Sequence, residues 1–171
     1  YESFREKNVP ALLLSGKRDA RFPSLVESAS EDLRLYGAPS FSRSPAGLLI
    51  FPIRFALALL AARKIIAREG ITAVIGMGGY VSAPALLAAR LGKIPLFLCE
   101  QNSVPGKVTR FFESSARKVY GTFRGAADYL KRKDRYLRVG NPIRKKVITD
   151  ALKEEARRAF HLGHSRNCLL Y

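Results

Sequence analysis

Short apolar runs alternate along this chain with longer segments in which Ala and Leu recur at helical spacing. Residues 72–75, 94–99 and 136–139 are short runs rich in Val, Ile and Leu, and each predicts a strand. The remaining predicted elements are strands at 9–15, 32–36 and 118–121, helices at 1–8, 22–28, 51–69, 83–91, 107–115 and 124–131, and a helix-rich segment at 142–160.

This alternation predicts an α/β fold, a Rossmann-like doubly wound parallel sheet with right-handed crossovers. Three loops, at residues 76–82, 100–102 and 140–144, each follow a predicted strand and precede a helical pattern. Ligands bind outside the carboxyl ends of strands in such sheets, where helix amino termini present unpaired N–H groups. The pattern therefore predicts a binding edge for an anionic, diphosphate-bearing substrate.

The first loop is rich in glycine. Gly76, Gly78 and Gly79 allow positive φ and let a ligand approach the backbone closely. Tyr80 adds a flat face and a hydroxyl, and Ser82 is expected to cap the following helix. The loop matches neither the dinucleotide fingerprint nor a Walker loop. A tight strand-to-helix turn without any ligand is the alternative interpretation.

The second loop places three polar side chains directly after a predicted buried strand. Glu100, Gln101 and Asn102 are therefore candidates for hydrogen bonds with a sugar or base. The alternative is an ordinary helix cap formed by Asn102 or Ser103. A general-base role for Glu100 has little support, because no partner that raises its pKa is visible.

The third loop has a clear local logic. Asn141 is a favoured helix cap, and Pro142 suits the first helical position. Arg144 then lies in the first turn, where a cation opposes the helix dipole. That placement suggests a ligand anion or a carboxylate partner, although an ordinary surface arginine is the alternative.

An apolar block lies at the entry of the predicted helix at 51–69. It consists of Leu48, Leu49, Ile50, Phe51 and Phe55, with Arg54 among the flanking cations. The longest uncharged stretch here is shorter than the roughly 20 residues of a spanning helix. The block is therefore either part of the core or an interfacial patch with basic flanks.

Charge is the strongest feature of the composition. The formal net charge is +16, and residues 90–146 contain fifteen basic side chains against four acidic ones. Such a field attracts nucleic acid, anionic lipid or phosphorylated substrates. The basic run at 131–135 lacks interleaved aromatic residues, which argues against base stacking and leaves a solvated face. Two cysteines and two histidines predict neither a disulfide framework nor a metal site.

Taken together, the three loops resemble the MurG family, the bacterial transferases that add N-acetylglucosamine to the lipid-linked muramyl-pentapeptide precursor of peptidoglycan. The resemblance implies one half of a two-domain GT-B glycosyltransferase that uses no metal or other cofactor. It implies that Asn102 and Arg144 contact UDP-N-acetylglucosamine. It also implies that the loop containing Gly76, Gly78, Gly79, Tyr80 and Ser82 meets the acceptor diphosphate.

The same resemblance implies two domains and a membrane location. Residues 1–146 are expected to form the acceptor-side domain without its first strand and first glycine-rich loop, and 147–171 to begin a donor-binding domain. The implied partners are UDP-N-acetylglucosamine, an undecaprenyl-diphosphate-linked muramyl-pentapeptide and an anionic surface on the cytoplasmic side of the plasma membrane, but no nucleic acid. Cys99 stands where members carry His, so no role of that His transfers.

Two other functions remain open at this point. A transferase that glycosylates diacylglycerol shares the implied fold and the association with a membrane. A basic nucleic-acid-binding module is the alternative from another class, since the charge alone supports it. The fragment itself is expected to lack turnover, because the donor-binding half is missing from the resemblance.

Overall fold

The computed structural model describes residues 2–17, 21, 31–37, 44–142, 153–159 and 161. The chain divides into two compact units, residues 1–140 and 141–171. Helix α5 (Lys153–Ala159) belongs to the second unit. The predicted helix at 22–28, most of the segment at 142–160 and Arg144 lie outside the described residues. The assignment of acceptor-side and donor-side domains stays a prediction.

The strands of the first unit form two parallel sheets. Strands β1 (Leu13–Gly16) and β2 (Leu33–Tyr36) pair with each other. The second sheet has the order β3-β4-β5-β6, with all neighbours parallel. Its strands are β3 (Val74–Gly76), β4 (Leu96–Glu100), β5 (Lys118–Gly121) and β6 (Tyr136–Arg138). The α/β class and the parallel sheets predicted from the alternation are therefore confirmed.

Helices connect the strands as the alternation requires. They are α1 (Glu2–Glu6), α2 (Pro45–Arg68), α3 (Gly79–Leu91) and α4 (Lys107–Phe112), with 3-10 turns at Glu113–Ser115, Arg124–Tyr129 and Lys133–Arg135. Because α3 and α4 each carry the chain from the carboxyl end of one strand to the amino end of the next, all loops after β3, β4 and β5 share one edge.

Helix α2 begins earlier than its apolar periodicity predicts. Ser44 is the N-cap, and its Oγ accepts a hydrogen bond from the Gly47 N–H at 3.1 Å. Pro45 occupies the first turn, where its missing N–H costs no hydrogen bond. The predicted helix start at residue 51 was therefore too late, because Ser44 and Pro45 begin the helix six residues earlier.

The core lies between the four-stranded sheet and helix α3. The buried face of α3 contains Ala83, Leu86 and Ala89, which pack against Leu96 and Leu98 of β4. On its other side α3 contacts α2 through small residues, Ala85 and Ala88 against Ala62. Small side chains at this contact let the two helices approach closely.

Gly76 is part of this core rather than of the loop that follows it. It is the last residue of β3 and is buried. A Cβ built on it would lie 2.9 Å from both methyl carbons of Leu86 and 3.1 Å from Leu98 Cδ2. Close packing alone therefore accounts for a glycine here, and a contact with a ligand stays a prediction.

We expect Gly76→Ala to lower the free energy of unfolding by about 1–3 kcal/mol, because overpacking a close-packed core forces its neighbours to shift. Gly125→Ala is the matched control, since a Cβ there meets nothing within 4 Å and φ lies outside the positive range. The control should change stability by no more than about 1 kcal/mol. Urea unfolding measures both, and equal stability of the two variants would contradict the packing account.

Candidate functional site

The carboxyl ends of β3 to β6 lie side by side because the strands are parallel and adjacent. Gly76 pairs with Leu98 in β4, and Glu100, two residues further along β4, pairs with Gly121 in β5. Gly121 in turn accepts hydrogen bonds through its carbonyl oxygen from the N–H groups of Val139 and Gly140. The structure thus brings the first two predicted loops and the start of the third to one edge.

The glycine-rich loop turns directly into helix α3. Gly78 is the N-cap with φ 82° and ψ −176°, and Gly79 is the first helical residue with φ 73°. Both values lie in the left-handed region that L side chains rarely adopt. No side chain caps this helix, so its first N–H groups face the loop edge.

The predicted cap by Ser82 was wrong. Helix α3 starts at Gly79, so Ser82 lies within the first helical turn. Its Oγ donates back to the carbonyl oxygens of Gly78 and Gly79, each at 2.9 Å. Because the helix begins at Gly79, three residues before Ser82, this side chain lies too far along the helix to act as its N-cap. A diphosphate contact by Ser82 remains untested.

The second loop lies beside the first. A Cβ built on Gly78 would be 4.0 Å from Oε1 of Gln101. Tyr80, which is exposed, follows on the first turn of α3. The two loops predicted to hold ligand groups are therefore neighbours in the structure, as the sheet order requires.

Glu100 is the buried carboxylate of this edge, with an exposed fraction of 4%. Oε1 accepts from the backbone N–H of Asn102 at 3.0 Å and from its Nδ2 at 2.9 Å. Oε2 accepts from the Gly106 N–H at 2.9 Å and from Thr109 Oγ1 at 2.6 Å. Burial raises the pKa of this carboxyl, but the four hydrogen bonds outweigh burial and hold the pKa below its usual value.

Asn102 is exposed, and Glu100 holds one end of its side chain. Because Nδ2 donates to the carboxylate, Oδ1 is at the opposite end of the amide. Among the described residues no donor reaches that oxygen, so it is available to a ligand. The alternative role of Asn102 as a helix cap was wrong, since the N-cap of α4 is Gly106.

The third loop is described only in part. Gly140 has φ 88°, and Asn141 and Pro142 are exposed. Arg144 lies outside the described residues, so its predicted contact with a donor sugar stays a prediction. No group of three or more His, Cys, Asp or Glu side chains suited to a metal ion occurs in the described part of the chain.

The apolar block predicted before α2 lies within this helix and is split between two environments. Leu49 is 79% exposed, and Ile50 and Arg54 are also exposed. Phe51 and Phe55 are half-buried, with ring centroids 6.0 Å apart, and Phe55 packs against the core. The packing of Phe55 favours the core interpretation for this residue, and a membrane contact of the block stays a prediction. The side chain of Leu48 lies outside the described part of the structure.

Further exposed apolar residues of α2 were missed. Ile53, Leu57 and Leu60 are each 61–62% exposed. With Leu49 they follow the spacing i, i+4, i+8, i+11, which defines one helical face. We call Leu49, Ile53, Leu57 and Leu60 the apolar stripe. The spacing is visible in the sequence. It predicts an exposed stripe only if Ala58 and Ala62, on the opposite face, are recognised as the buried side of the helix.

Residues around the Glu100 carboxylate were also missed. Gly106 and Thr109 donate to it from six and nine positions later in the chain, respectively. Gly121 lies beside it in β5, where a Cβ would overlap the Tyr136 ring. Thr122 Oγ1 is enclosed at the same edge without a hydrogen-bond partner in the described structure. No spacing rule connects these residues before the chain is folded.

No described helix is long and apolar enough to cross a membrane. The exposed face of α2 is a surface feature of this unit, and the predicted membrane contact is tested by none of these observations.

Residues 34–121 match the glycosyltransferase family 28 N-terminal domain. This chain belongs to glycosyltransferase family 28. The matched region contains β2 to β5, and therefore includes the glycine-rich loop, the Glu100 network and helix α2 with its apolar stripe.

Curated members of family 28 are similar to nearly the whole chain. A protein of Rubrobacter xylanophilus is 36% identical over 92% of this chain and 46% of its own length. One of Clavibacter sepedonicus is 34% identical over 93% of this chain and 43% of its length. Both are named UDP-N-acetylglucosamine--N-acetylmuramyl-(pentapeptide) pyrophosphoryl-undecaprenol N-acetylglucosamine transferase. The chain spans somewhat less than half the length of these relatives.

Solved structures agree on the fold. MurG of Acinetobacter baumannii superimposes with a TM-score of 0.63 at 23% identity, over 86% of this chain and 41% of that one. A UDP-GlcNAc 2-epimerase of Methanocaldococcus jannaschii gives a TM-score of 0.59 at 13% identity, over 82% of this chain and 40% of that one. The resemblance to the MurG family and to half of a GT-B fold is therefore confirmed.

We expect the stabilisation supplied by Glu100 to depend on pH. Glu100→Gln should lower the free energy of unfolding by about 1–3 kcal/mol at neutral pH, because buried donors lose their acceptors. Since the folded pKa is depressed, this stabilisation is present above the unfolded pKa of about 4.3 and is lost as pH falls through the folded value. Urea unfolding of both proteins at several pH values measures the difference, and a difference that is constant down to about pH 3 would contradict this account.

Proposed function

We propose that the gene product carrying this chain transfers N-acetylglucosamine from UDP-N-acetylglucosamine to an undecaprenyl-diphosphate-linked muramyl-pentapeptide. The observation that carries the proposal is the shared edge of the glycine-rich loop and the Glu100–Asn102 loop in a family 28 domain. Curated relatives at 34–36% identity carry the name of this activity. In this proposal the chain supplies the acceptor-side half of the enzyme.

The proposed reaction is an inverting displacement. A muramyl hydroxyl attacks the anomeric carbon of the sugar and loses its proton to a general base other than Glu100. The new glycosidic bond forms on the opposite face, and the bond to UDP breaks. The developing charge on the leaving diphosphate is stabilised by N–H groups and cations. Glu100 does not supply the base in this scheme, because its pKa is depressed and both of its oxygens already accept hydrogen bonds.

The glycine-rich loop suits the acceptor diphosphate. Gly78 and Gly79 leave the start of α3 without a side-chain cap, and a Cβ at Gly79 would meet nothing within 4 Å. Open space next to the amino terminus of a 13-residue helix favours a phosphate group. Tyr80 and Ser82 lie on the first turn and are proposed to contact the same group. Gly76 acts here through packing.

The second loop suits the donor. Asn102 presents its amide oxygen at the edge, and the side chain of its neighbour Gln101 lies beside Gly78 of the glycine-rich loop. The amide is therefore placed to accept from the sugar or the nucleotide. Arg144 is proposed to contact the same donor, on the basis of the sequence resemblance alone.

The apolar stripe of α2 is proposed to hold the protein at an anionic membrane surface, where the lipid-linked acceptor resides. Arg54, Arg63 and Lys64 are exposed cations of the same helix. Burial of one Leu or Ile is worth about 1.5–3 kcal/mol, and each cation near an anionic surface adds about 1 kcal/mol. Partial insertion of four side chains with three cations gives reversible attachment. The proposed location is the cytoplasmic side of the plasma membrane, peripheral to it.

The transfer assay follows labelled N-acetylglucosamine from UDP-N-acetylglucosamine into the lipid-linked acceptor. We expect Asn102→Ala to lower kcat/KM for the donor about tenfold or more, because one ligand hydrogen bond and its orientation are lost. Ser103→Ala is the matched control, since Ser103 is an exposed neighbour in the same loop, and its activity should equal that of wild type.

The same assay separates the alternatives. Transfer to diacylglycerol but not to the muramyl acceptor would replace the proposal by the related lipid transferase. Absence of both transfers, with salt-sensitive binding to generic duplex DNA, would support the nucleic-acid module instead.

Vesicle flotation tests the apolar stripe. We expect Leu49→Ser/Leu57→Ser to bind anionic vesicles about tenfold more weakly than wild type, because two exposed apolar side chains no longer insert. Leu137→Ser/Val139→Ser is the matched control, as it removes two exposed apolar residues at β6 and beyond, and it should bind like wild type. Equal loss in both variants would point to general hydrophobicity rather than to this helix face.

A further inference from the structure

Two carboxylates are buried in the four-stranded sheet unit without an ion pair among the described residues. Glu100 and Glu113 are 4% and 2% exposed. Such a charge is tolerated only where hydrogen bonds replace water. Glu113 accepts from the Lys131 N–H at 2.9 Å to each oxygen and from the Arg132 N–H at 3.4 Å. Both carboxylates are thus satisfied by neutral donors.

The two carboxylates lie at opposite edges of the sheet. Glu100 ends β4 at the loop edge. Helix α4 then carries the chain to the amino end of β5, so Glu113, directly after α4, lies at the other edge. The pair therefore offers one carboxylate at the candidate site and an equivalent one remote from it.

The donors to Glu100 come from three places along the chain. The Asn102 N–H and Nδ2 reach Oε1, while the Gly106 N–H and Thr109 Oγ1 reach Oε2. A carboxylate has about four lone-pair positions, and four donors use them. Glu100 consequently has no lone pair directed at a substrate proton, and its carboxylate instead ties the loop and the start of α4 to the end of β4.

The hydrogen bond to Nδ2 also selects how Asn102 meets a ligand. An exposed asparagine amide rotates and presents either its donor or its acceptor end. With Nδ2 held at 2.9 Å from Oε1, the orientation is set and Oδ1 is presented. Restriction of this kind lowers the entropy cost of binding, and it favours a ligand hydroxyl or N–H over a phosphate oxygen.

We infer that Glu100 is a positioning residue, whose carboxylate orients the Asn102 amide so that its oxygen accepts a hydrogen bond from a hydroxyl or N–H of the nucleotide sugar. This inference rests on the proposed function for the identity of the ligand. The anchoring of the loop by the carboxylate does not depend on that function.

Amide hydrogen exchange tests the anchoring without any activity. Glu100→Gln should speed exchange of the Gly106 amide about tenfold or more and leave exchange of the Lys131 amide unchanged. The reason is that the NH2 group of Gln, which donates hydrogen bonds, takes the place of a carboxylate oxygen that accepted them. Glu113→Gln is the matched control, and it should speed exchange of the Lys131 amide and leave exchange of the Gly106 amide unchanged. Unchanged protection of Gly106 in Glu100→Gln would overturn the anchoring role.

Kinetics of the gene product that carries this chain test the orienting role. Glu100→Gln should raise KM for UDP-N-acetylglucosamine about tenfold with a smaller change in kcat, and the pH profile of kcat should keep its shape. Glu113→Gln should leave KM unchanged. A loss of kcat of about 100-fold or more, together with a changed acidic limb of the profile, would overturn positioning in favour of a general base.

Thr109→Val tests the same role with Glu100 in place, and a double variant tests whether Glu100 acts through Asn102. Thr109→Val removes one donor and leaves the carboxylate charged, and should raise the same KM about threefold. Glu100→Gln added to Asn102→Ala should cause no further rise in KM, because both act through one amide; additive effects overturn the inference. Wild-type protein without transferase activity would overturn the proposed function, whereas the exchange experiment would still decide the anchoring.

Discussion

Parallel pairing of four consecutive strands is the constraint on which the candidate site depends. A chain that leaves the carboxyl end of one strand must return to the amino end of the next, so every loop after β3, β4 and β5 lies at the same edge. The pairing of Gly76 with Leu98 sets the register of β3 and β4, and therefore which residues of the two following loops are neighbours. Residues 23 positions apart, such as Gly78 and Gln101, consequently meet there.

Hydrogen bonds to two buried carboxylates fix the connecting segments at both ends of the strands. Each of the two carboxylates replaces the water it loses by donors from segments that have no regular secondary structure or are just beginning a helix. At the loop edge the carboxylate joins β4 to α4, and at the other edge it joins the end of α4 to the segment before β6. The same type of interaction is therefore structural at one edge and adjacent to the candidate ligand groups at the other.

Helix α2 has to serve two surfaces. Its small residues, Ala58 and Ala62, face the core and allow α3 to approach. The opposite face carries the apolar stripe, which no described residue covers. Arg54, Arg63 and Lys64 of the same helix are exposed, and an exposed apolar patch rimmed by polar residues is typical of an interaction site. We therefore expect this second face to contact a partner, and the proposed partner is the membrane surface.

The sequence by itself determined the class of fold and the positions of the strands and loops along the chain. Strand, loop and helix signals are local, and Val, Ile, Leu, Gly and Asn at residues 74–79 and 96–102 are enough to specify them. Family membership followed from the same local motifs. The errors at the starts of α2 and α3 arose because Ser44 and Gly78 cap these helices earlier than the periodicity begins.

Only the tertiary structure decided what the individual side chains do. Gly76 is a glycine because Leu86 and Leu98 fill the space beside it, and Glu100 is satisfied by Thr109, nine residues away. Phe55 and Leu57 are similar in the sequence, yet one packs against the core and the other is exposed. Packing and hydrogen bonding between distant segments have no period along the chain, so they are settled only when the chain has folded.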